Sequence, residues 1–373
     1  MHDWLAKRLG GRADQQGWQG GWPARLAGRQ TAKAGKGGLG SKACKADMAG
    51  RTLRGSDVSG IMIIKCNMGK IHANRTFFKK NINFELHSCF LSVWRHSYTA
   101  SYHIYDLNNG TIITENPLPT TIQYITWSPA GHKLAYVYRN NVYVKTTPNA
   151  KPVEITENGA ENKILNGLAD WVYEEEMFGT HSALWWSPSG NSLAFAEIND
   201  TEVPLIEYSF YSEDTLQYPK TIKIPYPKAG AINPTIRLFV VDILALPQKN
   251  ISEIVAPSSI ISGDHYLSVV TWVTDERICL QWLRRIQNFS MLTICDYSSG
   301  NREHPEESKT GWVGRFQPSE PYFASDKISY YKIISDSQGY NHIHYTDSTG
   351  NVKPITSGKW EVISIAAVTN NSL

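Results

Sequence analysis

From Trp94 onward the apolar residues fall into short runs, each closed by a cluster of Gly, Pro, Asn, Asp or Ser. Residues 98–107 mix β-branched and aromatic side chains and end on Asn108-Asn109-Gly110. An Asn-Gly pair behind such a run predicts a hairpin, with residues 111–114 as the returning strand. Residues 84–94 hold a further candidate strand. Between 125 and 137 the chain reads Ile-Thr-Trp-Ser-Pro-Ala-Gly-His-Lys-Leu-Ala-Tyr-Val, and between 183 and 196 Ala-Leu-Trp-Trp-Ser-Pro-Ser-Gly-Asn-Ser-Leu-Ala-Phe-Ala. The shared phrase is Trp-Ser-Pro-x-Gly-x-x-Leu-Ala-aromatic. Proline fixes φ and glycine accepts φ > 0, so Ser-Pro-x-Gly predicts a tight turn between two strands. Looser copies lie at 270–282 and 321–331. A strand–turn–strand unit that returns every 40–60 residues or so predicts propeller blades, because one small sheet cannot bury both its faces alone. Roughly 280 residues at about 50 per blade give five or six blades, short of a closed ring.

The interval between the second and third copies is longer than one blade. Residues 208–235 carry Pro219, Pro225, Pro227 and Pro234 among aromatics. Proline at that density excludes a central strand and predicts an exposed arm. Its Phe210, Tyr211, Tyr218 and Tyr226 suit either a contact surface or a rigid loop.

Composition alters the picture mainly at the N-terminus. Residues 1–60 hold eleven Lys or Arg, four Asp and thirteen Gly, with scattered apolar residues of no period. They cannot bury enough surface to offset their ordering entropy, so residues 1–75 are expected to form a disordered basic segment and 76–373 a partial propeller. The basic charge suits an anionic surface or a solvated tail; no nucleic-acid partner is expected. The whole chain carries +3, so the remainder carries about −4. The run at 61–64 is far too short for a membrane span, and no signal peptide is recognisable. Five cysteines, none in a CxxC pair, exclude a zinc motif; no cofactor and no metal site is expected, and His342 and His344 are read as strand surface. Asn-x-Ser/Thr triplets at Asn74, Asn109, Asn199, Asn250, Asn288 and Asn370 are glycosylation candidates if the chain is secreted.

The densest chemistry is Asp-Trp-Val-Tyr-Glu-Glu-Glu-Met-Phe at 170–178. Three adjacent carboxylates repel one another and lose hydration beside packed aromatics, costs that a cationic partner relieves. The residues alone allow a solvated acidic turn or an ammonium-binding site.

That run, with Trp-Arg-His-Ser-Tyr-Thr-Ala at 94–100, Asn-Asp-Thr-Glu-Val-Pro at 199–204, Tyr-Pro-Lys-Ala-Gly-Ala at 226–231 and Leu-Gln-Trp-Leu-Arg-Arg at 280–285, resembles the dipeptidyl peptidase IV and fibroblast activation protein family. The resemblance runs from Trp94 to the C-terminus. It implies an eight-bladed propeller over an α/β-hydrolase domain in an extracellular, membrane-anchored serine exopeptidase that releases dipeptides after proline. Glu175 and Glu176 match the glutamates that grip a substrate's free α-amine, Arg95 an arginine that holds a substrate carbonyl, and Phe316 an aromatic lining the same cavity. Each ammonium–carboxylate bond in a partly dry cavity is worth about 1.5–3 kcal/mol. The implied partners are peptides with a free N-terminus, and a homo- or heterodimer through the 208–235 arm is a further expectation. The family's hydrolase needs Gly-x-Ser-x-Gly, and no such motif occurs here. The sequence therefore reads as the propeller portion of such an enzyme, inactive alone, from an incomplete gene model or a splice product, with the cysteine that the resemblance pairs with Cys295 missing.

Overall fold

A computed structural model describes residues 61–66, 76–78, 81–83, 90–211, 218–296, 300–314 and 318–368, all within the unit Val58–Leu373. The chain is all-β, a partial propeller of stacked antiparallel sheets. The first sheet pairs Ile61–Cys66 and Phe90–Ser92 with Tyr98–Asp106, which also meets Thr111–Ile112. The second is Tyr124–Trp127, Leu134–Tyr138, Asn141–Lys145 and Val153–Glu154 in sequence order. The third joins Ile164–Asn166, Leu184–Trp186, Ser192–Asn199, Thr235–Asp242 and Ile251–Ile254. The fourth runs His265–Trp272, Arg277–Arg284, Phe289–Asp296 and Gly300–Glu307; the fifth runs Tyr322–Phe323, Tyr330–Ser335, Asn341–Thr346 and Val352–Pro354. Among the described residues these sheets do not close into a ring.

Ile61–Cys66 is a correction. It falls inside the segment expected to be disordered, yet it pairs residue by residue with Tyr98–Asp106, from Ile61 opposite Asp106 to Cys66 opposite Ser101. Its β-branched Ile-Met-Ile-Ile run finds a ready edge there, a non-local partner that a local reading misses. The rest of 1–75 lies outside the described residues.

Burial shows why the sheets stack. Leu134, Ala135, Tyr136 and Val137 are buried in succession, as are Leu193 to Ala196 and Ile278 to Leu283. Successive strand residues point to opposite faces, so consecutive burial means both faces are covered. Separate apolar layers do the covering. Ala100, Tyr102 and Tyr136 join the first and second sheets, and Val137, Val144, Leu193 and Val241 the second and third. Leu238, Leu267, Leu280 and Trp282 join the third and fourth, and Leu292, Ile294 and Tyr330 the fourth and fifth.

The repeated turns also hold one another. Gly131 and Gly190 take φ +73 and +69, the left-handed region that Ser-Pro-x-Gly requires. Lys133 Nζ, just past the first turn, donates to Gly190 O (2.8 Å) and Asn191 Oδ1 (2.9 Å) in the second. Ser189 N, in the second, donates to Asp275 Oδ1 (2.9 Å) in the third. Arg277, closing the third, donates to Lys327 O (2.5 Å) in the fourth and pairs with Asp296. The sequence repeat is thus a chain of polar links along one end of the stack.

Within the proline-rich insertion the paired segment begins before residue 208 and ends before residue 235. Leu205–Phe210 pairs with Lys220–Pro225 as a separate two-stranded ribbon, interrupting the third sheet between Ser192–Asn199 and Thr235–Asp242. Tyr208, Phe210, Tyr211 and Tyr218 are exposed on it.

Candidate functional site

The acidic run sits where the third sheet's first strands meet the fourth sheet. Asp170 is fully buried and caps the turn, accepting Val172 N (3.0 Å) and Tyr173 N (2.9 Å). The next residues, Tyr173–Met177, form a single π-helical turn, closed by Phe178 N donating to Tyr173 O (2.7 Å). Such turns are rare and cluster at functional sites. Tyr173 and Met177 drop into the core between the sheets. The Tyr173 ring lies 5.1 Å from Phe178 and 6.5 Å from Tyr266, and its hydroxyl accepts Leu267 N at 3.4 Å. Trp171 packs at 4.3 Å on Tyr226, at the foot of the arm.

This anchoring divides the glutamates. Successive residues of a helical turn point in different directions, so three adjacent carboxylates cannot share one environment. Glu174 is fully buried: its Oε1 accepts His96 N (2.6 Å) and Ser97 N (3.0 Å). Glu175 and Glu176 are half-buried. Glu175 Oε2 lies 2.7 Å from Arg95 Nε, with the Glu175 side chain 13% exposed and that of Arg95 71%. Glu176 adds its charge to the surroundings of Tyr266, whose hydroxyl burial pushes upward and which accepts Asn233 Nδ2 at 2.6 Å. The structure therefore brings Arg95 and Glu175 into contact, with Glu176 beside them on the turn. Phe316 lies outside the described residues.

Two residues the sequence reading passed over are Asp170 as the cap and Glu174 as the loop's partner. Asp-x-x before an aromatic run is an N-cap signal that could have found the first. The second depends on a contact spanning 78 positions, which no local pattern encodes.

Beneath the turn a second carboxyl, Asp200, is 2% exposed, and its Oδ1 has no hydrogen-bond partner among the described residues. Burial raises Asp170 to about 6 against its backbone donors, and raises Asp200, with help from Asp170, to about 8. Asp170 keeps two N–H donors, so Asp200 is the natural holder of the proton. A carboxyl raised on folding contributes stability that is full below about pH 4 and is lost as pH rises through its folded value. Asp200→Asn, which imitates the protonated form, should raise Tm by a few degrees or so at pH 8.5 and leave it nearly unchanged at pH 4.5. Equal shifts at both pH values, read by circular dichroism melts, would contradict this.

Of the sequons, Asn109, Asn199 and Asn250 are exposed and Asn288 is half-buried; Asn74 and Asn370 lie outside the described residues. Cys279 and Cys295 are free and buried. Cys279 lies opposite Ile294 and Cys295 opposite Ile278, so the two thiols face opposite sides of the fourth sheet. His342 is fully buried, bonded to Thr356 Oγ1 (3.1 Å) and Gly358 O (2.9 Å), and not on a strand surface as its pattern suggested. Among the described residues no helix is long and apolar enough to cross a membrane.

Stacked antiparallel sheets joined turn to turn, with acids gathered on a buried-footed turn beside an arginine, define a propeller segment. Residues 83–372 match the family model for the dipeptidyl peptidase IV (DPP IV) N-terminal region, and the chain belongs to that family. It is 58% identical to dipeptidyl peptidase 4 of Sus scrofa over 296 residues, 76% of this chain and 39% of that protein. It is 56% identical to prolyl endopeptidase FAP of Bos taurus over 297 residues, 77% of this chain and 39% of that protein. Among solved structures, dipeptidyl peptidase 4 of Porphyromonas gingivalis aligns at TM-score 0.66 and 27% identity, covering 80% of this chain and 43% of that one. The chain thus spans about two fifths of the length of the curated relatives it matches.

Proposed function

We propose that this chain is the peptide-recognition portion of a dipeptidyl peptidase 4-like or FAP-like serine exopeptidase. Glu175 and Glu176 take the α-ammonium of a peptide, and Arg95 takes its first carbonyl. Supporting this is one observation above all: Glu175, well shielded, already holds a cation, the Arg95 guanidinium at 2.7 Å. A carboxylate that gathers a guanidinium can also gather a peptide's ammonium. Arg95 is largely exposed, so leaving Glu175 costs it little, since exposed ion pairs are worth about 0–1 kcal/mol. Once displaced it stands beside the amine, where a peptide's first carbonyl lies. Phe316, by resemblance, lines the same hollow.

Recognition rather than cleavage is assigned to this chain, because its 373 residues contain no Gly-x-Ser-x-Gly motif. The setting proposed is the extracellular face of the plasma membrane, with Asn109, Asn199, Asn250 and Asn288 as glycan acceptors. The exposed tyrosines and phenylalanine of the arm favour a second reading beside the first: a binding surface for another copy or a partner propeller.

The test is calorimetric. The purified chain should bind an X-Pro peptide with a free N-terminus about tenfold or more tightly than its N-acetylated analogue, since acetylation removes one charge-assisted anchor. It should release no reporter from a Gly-Pro amide. Equal affinity for the two peptides would overturn the amine site; turnover of the reporter would overturn the assignment of recognition alone.

A further inference from the structure

The fully buried glutamate has no part in the amine site as proposed, yet its carboxylate is committed to one loop. Glu174 Oε1 accepts both His96 N (2.6 Å) and Ser97 N (3.0 Å), while Oε2 is buried with no hydrogen-bond partner among the described residues. Two amide dipoles converging on one oxygen make a charge-assisted pair, roughly twice as strong as neutral bonds. The turn they hold is the tip of the hairpin in which Phe90–Ser92 pairs with Tyr98–Asp106. Val93, Arg95 and His96 are exposed; apart from the Arg95–Glu175 pair, its other bonds are internal: Val93 N to Ser97 O (2.9 Å) and Trp94 N to Ser97 Oγ (3.0 Å). Those bonds shape the turn and the strands tie its base to the first sheet, while its tip is tied to the glutamate turn by Glu174 and by the exposed Arg95 side chain on Glu175. Glu174, by contrast, stands on a rigid footing: its own N–H donates to Asp170 O (2.8 Å), and its neighbour Tyr173 is sunk in the core.

We propose that Glu174 is a positioning residue. It clamps the Trp94–Ser97 turn to the glutamate turn and so sets where the Arg95 guanidinium stands relative to Glu175 and an incoming peptide carbonyl. The proposal rests on the amine-site reading for its consequence, but not for the clamp itself. Adjacent glutamates then do different work: one buried acid fixes the geometry that the two outer acids and the arginine use. A misplacement of about 1 Å in such a group can cost up to a hundredfold in a reaction that depends on it.

Two measurements on the full chain separate the clamp from its consequence. The first is amide hydrogen exchange at His96 and Ser97. Glu174→Ala should speed it about tenfold or more, and Glu174→Gln, which keeps a neutral acceptor, by less, with the Ser192–Asn199 strand protected throughout. The second is a double-mutant cycle on free-amine X-Pro peptide binding. Glu174→Ala should weaken binding about tenfold in the native background and add almost nothing on top of Arg95→Ala, because it acts through Arg95. Unchanged exchange at His96 and Ser97 in both variants would overturn the clamp. Losses that simply add would overturn the route through Arg95. Should Glu174→Ala not fold, Glu174→Gln carries both tests. A native chain that bound free and acetylated peptides alike would refute the amine site, and the exchange data would still decide the clamp.

Discussion

Replacing both Glu175 and Glu176 by glutamine should weaken the binding of a free-amine peptide about a hundredfold or more. Each carboxylate contributes one charge-assisted bond of about 1.5–3 kcal/mol, and two such losses together exceed two decades of affinity. Glutamine keeps shape and one acceptor, so the loss reports charge rather than packing. The fold should not suffer. Two neighbouring carboxylates repel, and removing both charges relieves that repulsion while Arg95, already 71% exposed, returns to water. The native Tm should therefore hold within about two degrees, as expected for substitutions away from the core. Affinity for the acetylated peptide, weak already, should barely change. If the double variant bound the free-amine peptide as the native chain does, these glutamates would have no role in recognition.

Tyr173→Ala should be the most damaging single change near the site. The ring is fully buried between the third and fourth sheets, touching Phe178 and Tyr266. Large-to-small replacement of a buried aromatic costs about 3–5 kcal/mol, transfer and cavity together. For a chain of this size that is a fall in Tm of about 10 °C. Tyr173→Phe removes only the hydroxyl, whose one bond, from Leu267 N, is long at 3.4 Å; the cost should be under about 1 kcal/mol. The contrast separates packing from polarity. Since the glutamate turn stands on this ring, peptide affinity should fall in Tyr173→Ala and survive in Tyr173→Phe. A melt of Tyr173→Ala within two degrees or so of the native one would show that the turn is not seated as described.

Much of the fold was legible because the blades repeat. Ser-Pro-x-Gly around Gly131 and Gly190 needs particular dihedrals, and those leave a mark in sequence at both copies. The links between turns, Lys133 to Gly190 and Ser189 to Asp275, were invisible, because each needs two blades already in register. The same holds for Ile61–Cys66, whose apolar run is short and whose partner strand lies more than thirty residues on. At the site, the density of acids marked the place, and resemblance singled out Arg95, Glu175 and Glu176. What neither supplied was the inequality among the glutamates. That follows from a π-helical turn with one face in the core, and nothing in Glu-Glu-Glu says which residue goes inward. His342 shows the converse: alternation with His344 suggested strand surface, but the chain beyond the fifth sheet folds back over it through Thr356 and Gly358.

The most direct test is a crystal structure of the chain with an X-Pro peptide bound. The account predicts the peptide's terminal nitrogen within about 3 Å of a carboxylate oxygen from each of Glu175 and Glu176, with Arg95 moved from Glu175 onto the first carbonyl. A bound peptide whose amine points to solvent, with the Arg95–Glu175 pair intact, would contradict it.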